Sequence, residues 1–346
     1  MSTVVTPEAI LDAAERIRGV VVRTPLLPAD WLAEEIGAEV RLKCENLQRG
    51  GAFKLRGAYT MISRLPEALR RAGVITYSSG NHAQAVALAA RRFGIPAVVV
   101  MPVTAPEVKI EGARRLGAEV VLEGTTSVER RARAEAIAAE RGLTMVPPFD
   151  HPDVIAGQGT VGLEILEDWP DVRAVLVPVG GGGLLAGIAA WVRARRPDCA
   201  IIGVEPENAC AMRRSLNAGQ PVTIEPRPTI ADGLAPIRPG DLTFAHVREL
   251  VDDVVTVDDD AIATAADELL ARSKLLVEYS GAAAVAALRA GRYRPAGRPT
   301  AIVLSGGNRR PPALRSPGPA AESPTLRRHG LGRVGQRCPV PRADDG

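Results

Sequence analysis

Short apolar runs rich in β-branched residues alternate along the chain with alanine-rich amphipathic stretches. A strand buried on both faces is apolar throughout, whereas a surface helix is apolar on one side only. The alternation therefore predicts an α/β fold with largely parallel sheets flanked by helices. The predicted strands are residues 74–77, 97–101, 118–123, 174–179, 200–205 and 300–305, and the predicted helices include residues 83–93, 128–141 and 259–274.

The two ends of the chain differ in character. Thr6 followed by Pro7 predicts a helix start, and the acids that follow are unlike a signal peptide, so a cytoplasmic chain is expected. After Asn308 the sequence is rich in arginine and proline without any period, which predicts a disordered tail over residues 309–346. Two explanations of that tail stay open: a shifted reading frame and a genuine extension.

Residues 174–192 carry no charge over 19 residues, nearly the length that spans a bilayer. Pro178 and four consecutive glycines interrupt this stretch. A buried strand, a glycine turn and a buried helix explain it better than a membrane span does.

Length, charge and cysteine content limit the classes of function that the chain can have. A length of 346 residues favours two domains. The net charge of +3 is unevenly placed, with +5 from residue 309 onward and −2 in the rest of the chain, where basic and acidic residues are interspersed, so no nucleic-acid partner is expected. The four cysteines form no C-x-x-C pair, and neither a zinc site nor a disulfide framework is indicated.

A glycine loop, Gly180 to Gly183, lies between a predicted strand and a predicted helix and continues into Leu184. Backbone N–H groups exposed at a helix start can bind a phosphate. The spacing Gly181-x-Gly183-x-x-Ala186 also fits a dinucleotide fingerprint, with Glu205 as the ribose-binding acid, so a nicotinamide-dependent dehydrogenase is an open alternative. A turn that only allows helix and strand to pack is the plain structural explanation.

Two further polar loops follow predicted strands. Ser78, Ser79, Gly80, Asn81 and His82 offer donors at a helix start, although such a cluster is often a simple N-cap. Ser305, in the sequence SGGN, could face a ring nitrogen or begin a turn. Together the three loops suggest one ligand with a phosphate, polar ring substituents and a ring nitrogen.

Lys54 lies among glycine, alanine and phenylalanine in GGAFKLRGAY, in a chain that carries only four lysines. A desolvated lysine can lose its proton and attack a carbonyl, which arginine cannot do. Lys43 and Lys274 fit instead the ordinary expectation of surface lysines whose stems lie on apolar neighbours.

With these residues in place, the chain resembles the fold type II (tryptophan synthase β-family) enzymes that depend on pyridoxal phosphate, specifically the threonine/serine dehydratase and serine racemase group. The resemblance runs from about Thr6 to Asn308. Eight motifs match in order: RTPLL, ENLQ, GAFKLRGA, SSGNHAQA, PVGGGGLLAG, GVEPENA, TIADGLA and SGGN.

The resemblance implies two domains, each an open, mostly parallel twisted sheet, with the cofactor in the cleft between them. Residues 1–70 and 151–308 would form the large domain, and residues 71–150 the small one. Lys54 would hold the cofactor covalently and act as the base. The implied cofactor contacts are Phe53, Lys54, Asn81, Gly180, Gly181, Gly182, Gly183, Leu184 and Ser305, and the implied substrate contacts are Ser78, Ser79, Gly80, Asn81 and His82.

The activity that the resemblance implies is dehydration of L-threonine or L-serine to a 2-oxo acid and ammonia, by a homodimer without membrane or nucleic-acid partners. Same-family alternatives are a serine racemase, with Ser79 as a second catalytic base, and a 3-hydroxyaspartate ammonia-lyase. A cross-class alternative is a non-catalytic amino-acid-binding protein. Glu205 and Ala209 match a cation site of the racemase branch, but Ala211 replaces its acid, so no metal is expected.

Overall fold

A computed structural model describes residues 4–78, 80–105 and 107–310, without the side chains of residues 108 and 127. The predicted disordered tail therefore lies outside the described residues from residue 311 onward. In the part of the chain that is described, no helix is long and apolar enough to cross a membrane.

Two open sheets organise the described residues. All six predicted strands are present with bounds that agree to within two residues. The strands are β1 (Leu26–Pro28), β2 (Val40–Lys43), β3 (Val74–Tyr77), β4 (Ala97–Met101), β5 (Glu119–Leu122), β6 (Thr144–Met145), β7 (Ala174–Pro178), β8 (Ala200–Pro206), β9 (Asp253–Val257) and β10 (Thr300–Val303).

The larger sheet has the strand order β1-β2-β10-β7-β8-β9. Every pairing in it is parallel except that of β1 with β2. Strand β7 is buried along its whole length, which explains the uncharged run in the sequence that begins there.

The smaller sheet has the order β5-β4-β3-β6 and is parallel throughout. It lies entirely within residues 74–145. The predicted fold class, two mostly parallel sheets flanked by helices, is confirmed, whereas the predicted domain boundaries stay a prediction.

Helices cover both sheets and begin where the sequence supplies caps. Thr6 accepts from the backbone of Ala9 as predicted, and Thr126 and Glu129 form a capping box. The helices are α1 (Pro7–Ile17), α2 (Asp30–Ile36), α3 (Lys54–Arg64), α4 (Glu67–Ala72), α5 (Asn81–Phe93), α6 (Glu107–Arg115), α7 (Ser127–Arg141), α8 (Pro152–Asp168), α9 (Gly183–Arg195), α10 (Ala211–Ala218), α11 (Asp241–Leu250), α12 (Asp259–Ser273) and α13 (Tyr279–Arg289). Short 3₁₀ helices occupy Glu45–Leu47, Arg49–Gly51, Glu207–Ala209 and Asp232–Leu234.

Helix α8 packs against α3 on one side and α9 on the other at very short range. A Cβ atom placed on Gly157 would lie 2.5 Å from the carbonyl oxygen of Arg56 in α3. A Cβ atom placed on Gly187 of α9 would lie 2.3 Å from the carbonyl oxygen of Ile155 in α8. Glycine at these two crossings lets the three helices touch backbone to backbone.

A buried charge cluster lies beneath α3. Arg56 Nη2 donates to Glu45 Oε1 at 2.8 Å and its Nη1 to Glu164 Oε1 at 2.7 Å. Lys43 Nζ donates to Glu164 Oε2 at 2.6 Å and is 0% exposed. The expectation that Lys43 is a surface lysine is therefore wrong: two cations and two anions compensate each other inside the core.

Candidate active site

A cavity of about 690 Å³ lies where strands of both sheets end. Residues that follow β3, β7 and β10 line it, as parallel sheets place their ligands at the carboxyl ends of strands. The three polar loops singled out from the sequence and Lys54 all reach this one cavity.

Lys54 is the first residue of α3 and lines the cavity with a half-buried side chain. Its Nζ donates to the carbonyl oxygen of Pro148 at 2.8 Å and lies 4.9 Å from the ring centre of Phe53. Burial lowers the pKa of Lys54 to about 8, and the negative charge of Glu278 acts in the opposite direction. The amine is therefore unprotonated and nucleophilic to a greater extent near neutral pH than that of an exposed lysine.

The glycine loop connects β7 to the start of α9. Gly182 has a φ of 96°, a left-handed conformation that favours glycine. A Cβ atom on Gly181 would lie 2.2 Å from the ring of Phe149, so this ring packs directly against the loop. Leu184, in the first turn of α9, is buried and also borders the cavity.

Asn81 begins α5, and its amide is held from two sides. Its Nδ2 donates to Glu278 Oε1 at 2.5 Å, and its Oδ1 accepts from Asn308 Nδ2 at 2.9 Å. One hydrogen of Nδ2 is left for a ligand in the cavity. Ser78 and Gly80 also border the cavity, and the predicted residue Ser79 lies outside the described residues.

His82 is 2% exposed and borders the same cavity. Its Nε2 lies 3.0 Å from the carbonyl oxygen of Val146, a contact that requires a proton on Nε2. Burial, together with the charge of Lys54, lowers the pKa of His82 to about 3. Nδ1 is buried and has no hydrogen-bond partner among the residues described, so it is an acceptor left open.

Ser305 follows β10, is 4% exposed and borders the cavity. Its carbonyl oxygen accepts from the backbone N–H of Phe53 at 3.2 Å, which fixes this loop beside the residue before Lys54.

Glu278 is a site residue that the sequence analysis missed. It is 6% exposed in the cavity, and burial raises its pKa to about 7, with the charge of Asp232 adding to the rise. The available signal was a single acid inside the apolar stretch LLVEYSGAAA, directly before a helix start.

Glu205 does not border the cavity and is 0% exposed. Its two carboxylate oxygens accept the backbone N–H groups of Met212 and Arg213 at 2.8 and 2.9 Å, at the start of α10. A ribose-binding role for Glu205 is therefore wrong. No group of three or more histidine, cysteine or acidic side chains suited to a metal occurs in the described ranges, and Ala209 and Ala211 add no side-chain ligand beside Glu205.

Comparisons of this chain with protein families, with single proteins and with solved structures agree with one another. The family described as pyridoxal-phosphate dependent enzyme matches residues 17–306. An L-threonine ammonia-lyase of Thermotoga maritima is 48% identical over 304 residues, covering 88% of this chain and 76% of that protein. An L-threo-3-hydroxyaspartate ammonia-lyase of a Pseudomonas species is 44% identical over 299 residues, covering 86% of this chain and 94% of that protein.

A solved structure of maize serine racemase has a TM-score of 0.86 and 37% identity to this chain, covering 90% of this chain and 95% of that one. These matches confirm the resemblance that the motifs indicated. The cavity combines a nucleophilic amine, a glycine loop suited to an anion, the fixed amide of Asn81 and the hydroxyl of Ser305, which together can bind a phosphorylated aldehyde covalently.

Proposed function

Because the chain belongs to the family of pyridoxal-phosphate-dependent enzymes, we propose that it is an ammonia-lyase that converts L-threonine to 2-oxobutyrate and L-serine to pyruvate, each with release of ammonia. The observation that carries the proposal is the amine of Lys54, whose pKa is lowered to about 8 inside a cavity that also contains the glycine loop.

The residues around the cavity suit pyridoxal phosphate. Lys54 would hold the cofactor through Nζ, and Gly180 to Gly183 would bind its phosphate with backbone N–H groups. Ser305 would face its ring nitrogen, and the free hydrogen of Asn81 Nδ2 would face its phenolic oxygen. When bound, pyridoxal phosphate supplies the electron sink that makes the α-proton of an amino acid acidic.

Lys54 would also act as the base. Once the amino group of the substrate has replaced it on the cofactor, the freed Nζ would remove the α-proton of the substrate, and a pKa near 8 suits a group that must accept a proton and give it up again close to neutral pH. The carbonyl oxygen of Pro148, at 2.8 Å, offers the free amine a hydrogen-bond acceptor.

The substrate carboxylate would bind at the start of α5. The N-terminus of a helix favours a negative charge, and this helix presents Asn81 and His82 in its first turn. His82 stays neutral across the physiological range, and its open Nδ1 is an acceptor that cannot bind a carboxylate, so His82 would contribute its backbone N–H to the substrate. Ser78 would add a hydroxyl donor.

We further propose that the enzyme is a cytoplasmic homodimer. The domain division at residues 70, 150 and 308 is part of the same proposal, with the substrate turn on the small domain, which would close over the bound amino acid.

The test is the variant Lys54→Ala. We expect the bound cofactor's visible absorbance band to disappear and ammonia release from L-threonine to fall by at least about 10³-fold, because both the covalent attachment and the base are lost. Lys274→Gln is the control, since Lys274 lies outside the cavity. Near-normal ammonia release by Lys54→Ala would refute the proposal.

A second candidate substrate is L-threo-3-hydroxyaspartate, and the observation in its favour is Arg130. Arg130 borders the cavity and forms no ion pair within the described residues, and its buried Nε has no partner there. The neighbouring cations Lys109 and Arg131 are paired with Asp232 and Glu135. Arg130 Nη1 donates to the carbonyl oxygen of Thr125 at 3.2 Å, but a guanidinium without an ion pair suits a substrate with a second carboxylate.

Arg130→Gln separates the two substrates. If the distal carboxylate binds Arg130, kcat/KM for 3-hydroxyaspartate falls by about tenfold or more, while that for L-threonine changes by less than about threefold. Equal changes for both substrates would show that Arg130 does not discriminate between them. Arg131→Gln serves as the matched control.

A further inference from the structure

A short segment between β6 and α8, residues 148–150, contacts both Lys54 and the glycine loop. The carbonyl oxygen of Pro148 accepts from Lys54 Nζ at 2.8 Å. The next residue, Phe149, packs its ring against the glycine loop at Gly181. One short segment, residues 148–150, therefore touches the amine and the loop at the same time.

Asp150 joins this segment to helix α11. Its carboxylate accepts the backbone N–H groups of Asp241, Leu242 and Thr243 at 3.1, 3.0 and 3.1 Å. The first N–H groups of a helix have no partner within the helix, and the positive end of the helix dipole also favours a carboxylate there. The start of α11 is thus fixed relative to the 148–150 segment.

Thr243 continues the connection from α11 back to the glycine loop. Its hydroxyl is buried and donates to the carbonyl oxygen of Gly181 at 2.6 Å, with a longer contact of 3.2 Å to Gly240. Because a trans peptide is planar, holding the Gly181 carbonyl also makes the N–H of Gly182 point the opposite way. In the described part of the chain that N–H has no hydrogen-bond partner.

We propose that Thr243 and Asp150 are positioning residues that fix the Gly181–Gly182 peptide so that its N–H is available to the cofactor phosphate. The inference rests on the proposed function, because the glycine loop is the phosphate site only if the protein binds pyridoxal phosphate as proposed. Through the carbonyl oxygen of Pro148 the same segment also holds Lys54. The amine of Lys54 and the glycine loop therefore keep a fixed position relative to each other.

The experiment compares pyridoxal phosphate with pyridoxal, which lacks the phosphate. Dissociation constants for both are measured on the full-length protein by exchange of the bound cofactor. In Thr243→Val, which keeps the shape but loses the donor, we expect the constant for pyridoxal phosphate to rise about tenfold and that for pyridoxal to change less than about twofold. Thr243→Ser restores the donor and should recover wild-type discrimination.

A matched control is Thr264→Val, since Thr264 makes only the exposed helix contact to the carbonyl oxygen of Asp260 at 2.9 Å. Its two constants should stay at wild-type values. Asp150→Asn is the second variant, in case Thr243→Val does not fold. We expect Asp150→Asn to weaken binding of pyridoxal phosphate about threefold to tenfold, and to move the ³¹P resonance of the bound cofactor.

The outcomes separate this inference from the proposed function. If wild type prefers pyridoxal phosphate strongly and both variants keep that preference, the positioning role is refuted while the cofactor site stands. If wild type binds pyridoxal as tightly as pyridoxal phosphate, the glycine loop is not the phosphate site, and both proposals fall.

Discussion

At the residue scale, Glu278 shows how one buried carboxylate affects a nearby amine. Burial raises the pKa of Glu278 to about 7, and Asp232 raises it further, whereas the hydrogen bond from Asn81 and the charge of Lys109 lower it. The ionised carboxylate stabilises the ammonium form of Lys54 and so raises the pKa of Lys54. Lys54 is thus less acidic than burial alone would make it.

Glu278→Gln should therefore shift the pH dependence of Lys54. Glutamine keeps an acceptor for Asn81 but removes the negative charge, so the pKa of Lys54 falls and its amine is unprotonated at lower pH. We expect the rate of covalent cofactor capture to reach its midpoint about 0.5 to 1 pH unit below that of wild type. Stopped-flow absorbance between pH 6 and about 10 measures this.

Glu34→Gln, at an exposed position on α2, is the control and should keep the wild-type midpoint. A midpoint in Glu278→Gln that equals or exceeds that of wild type would show that the charge of Glu278 does not reach the amine.

Sequence could identify Lys54 and the three loops because each is a local pattern of unusual residues. For Glu278 it offers only the weak signal of one acid in an apolar stretch, and for Thr243 none, because the partners of both residues are far away along the chain. Asn81 is 197 residues from Glu278, and Gly181 is 62 residues from Thr243. The burial of Lys43 could not be predicted for the same reason, since its partner Glu164 is 121 residues away.

At the scale of elements, the packing of α3, α8 and α9 depends on glycine where the backbones touch. Six of the ten strands in the described residues, and helices such as α1, followed from apolar periodicity and caps, because those signals are local. The order of strands and the short helix crossings are tertiary properties and did not follow from them.

Gly157→Ala should destabilise the protein by about 2 kcal/mol or more, because the added methyl group would lie 2.5 Å from a backbone oxygen that cannot move freely. Gly112→Ala, in α6, is the matched control. There the nearest atom is a glutamine side-chain nitrogen at 3.4 Å, and the higher helix propensity of alanine should stabilise by up to about 1 kcal/mol.

Urea unfolding measures both changes in the free energy of unfolding. Equal effects of the two substitutions would mean that the α3–α8 contact is not as tight as the structure describes.

At the scale of the whole molecule, the two sheets meet at the cavity and are joined there by hydrogen bonds. Asn81 begins a helix that covers the smaller sheet, while Glu278 and Asn308 belong to segments beside the larger one. Any movement that separates the sheets has to break these bonds. The orientation of the Asn81 amide is therefore tied to how closely the two sheets approach each other.

The buried cluster of Lys43, Glu45, Arg56 and Glu164 has a consequence for how this protein can change over evolutionary time. Each member compensates a charge that comes from a different segment, so a single substitution that removes one charge leaves the remaining charges unbalanced in the core, at a cost of about 3 to 5 kcal/mol. Few proteins have that much stability to spare. Descendants of this sequence can lose one of these charges at little cost only when an opposite charge of the cluster is lost as well, so we expect charge-removing substitutions in these segments to occur in pairs.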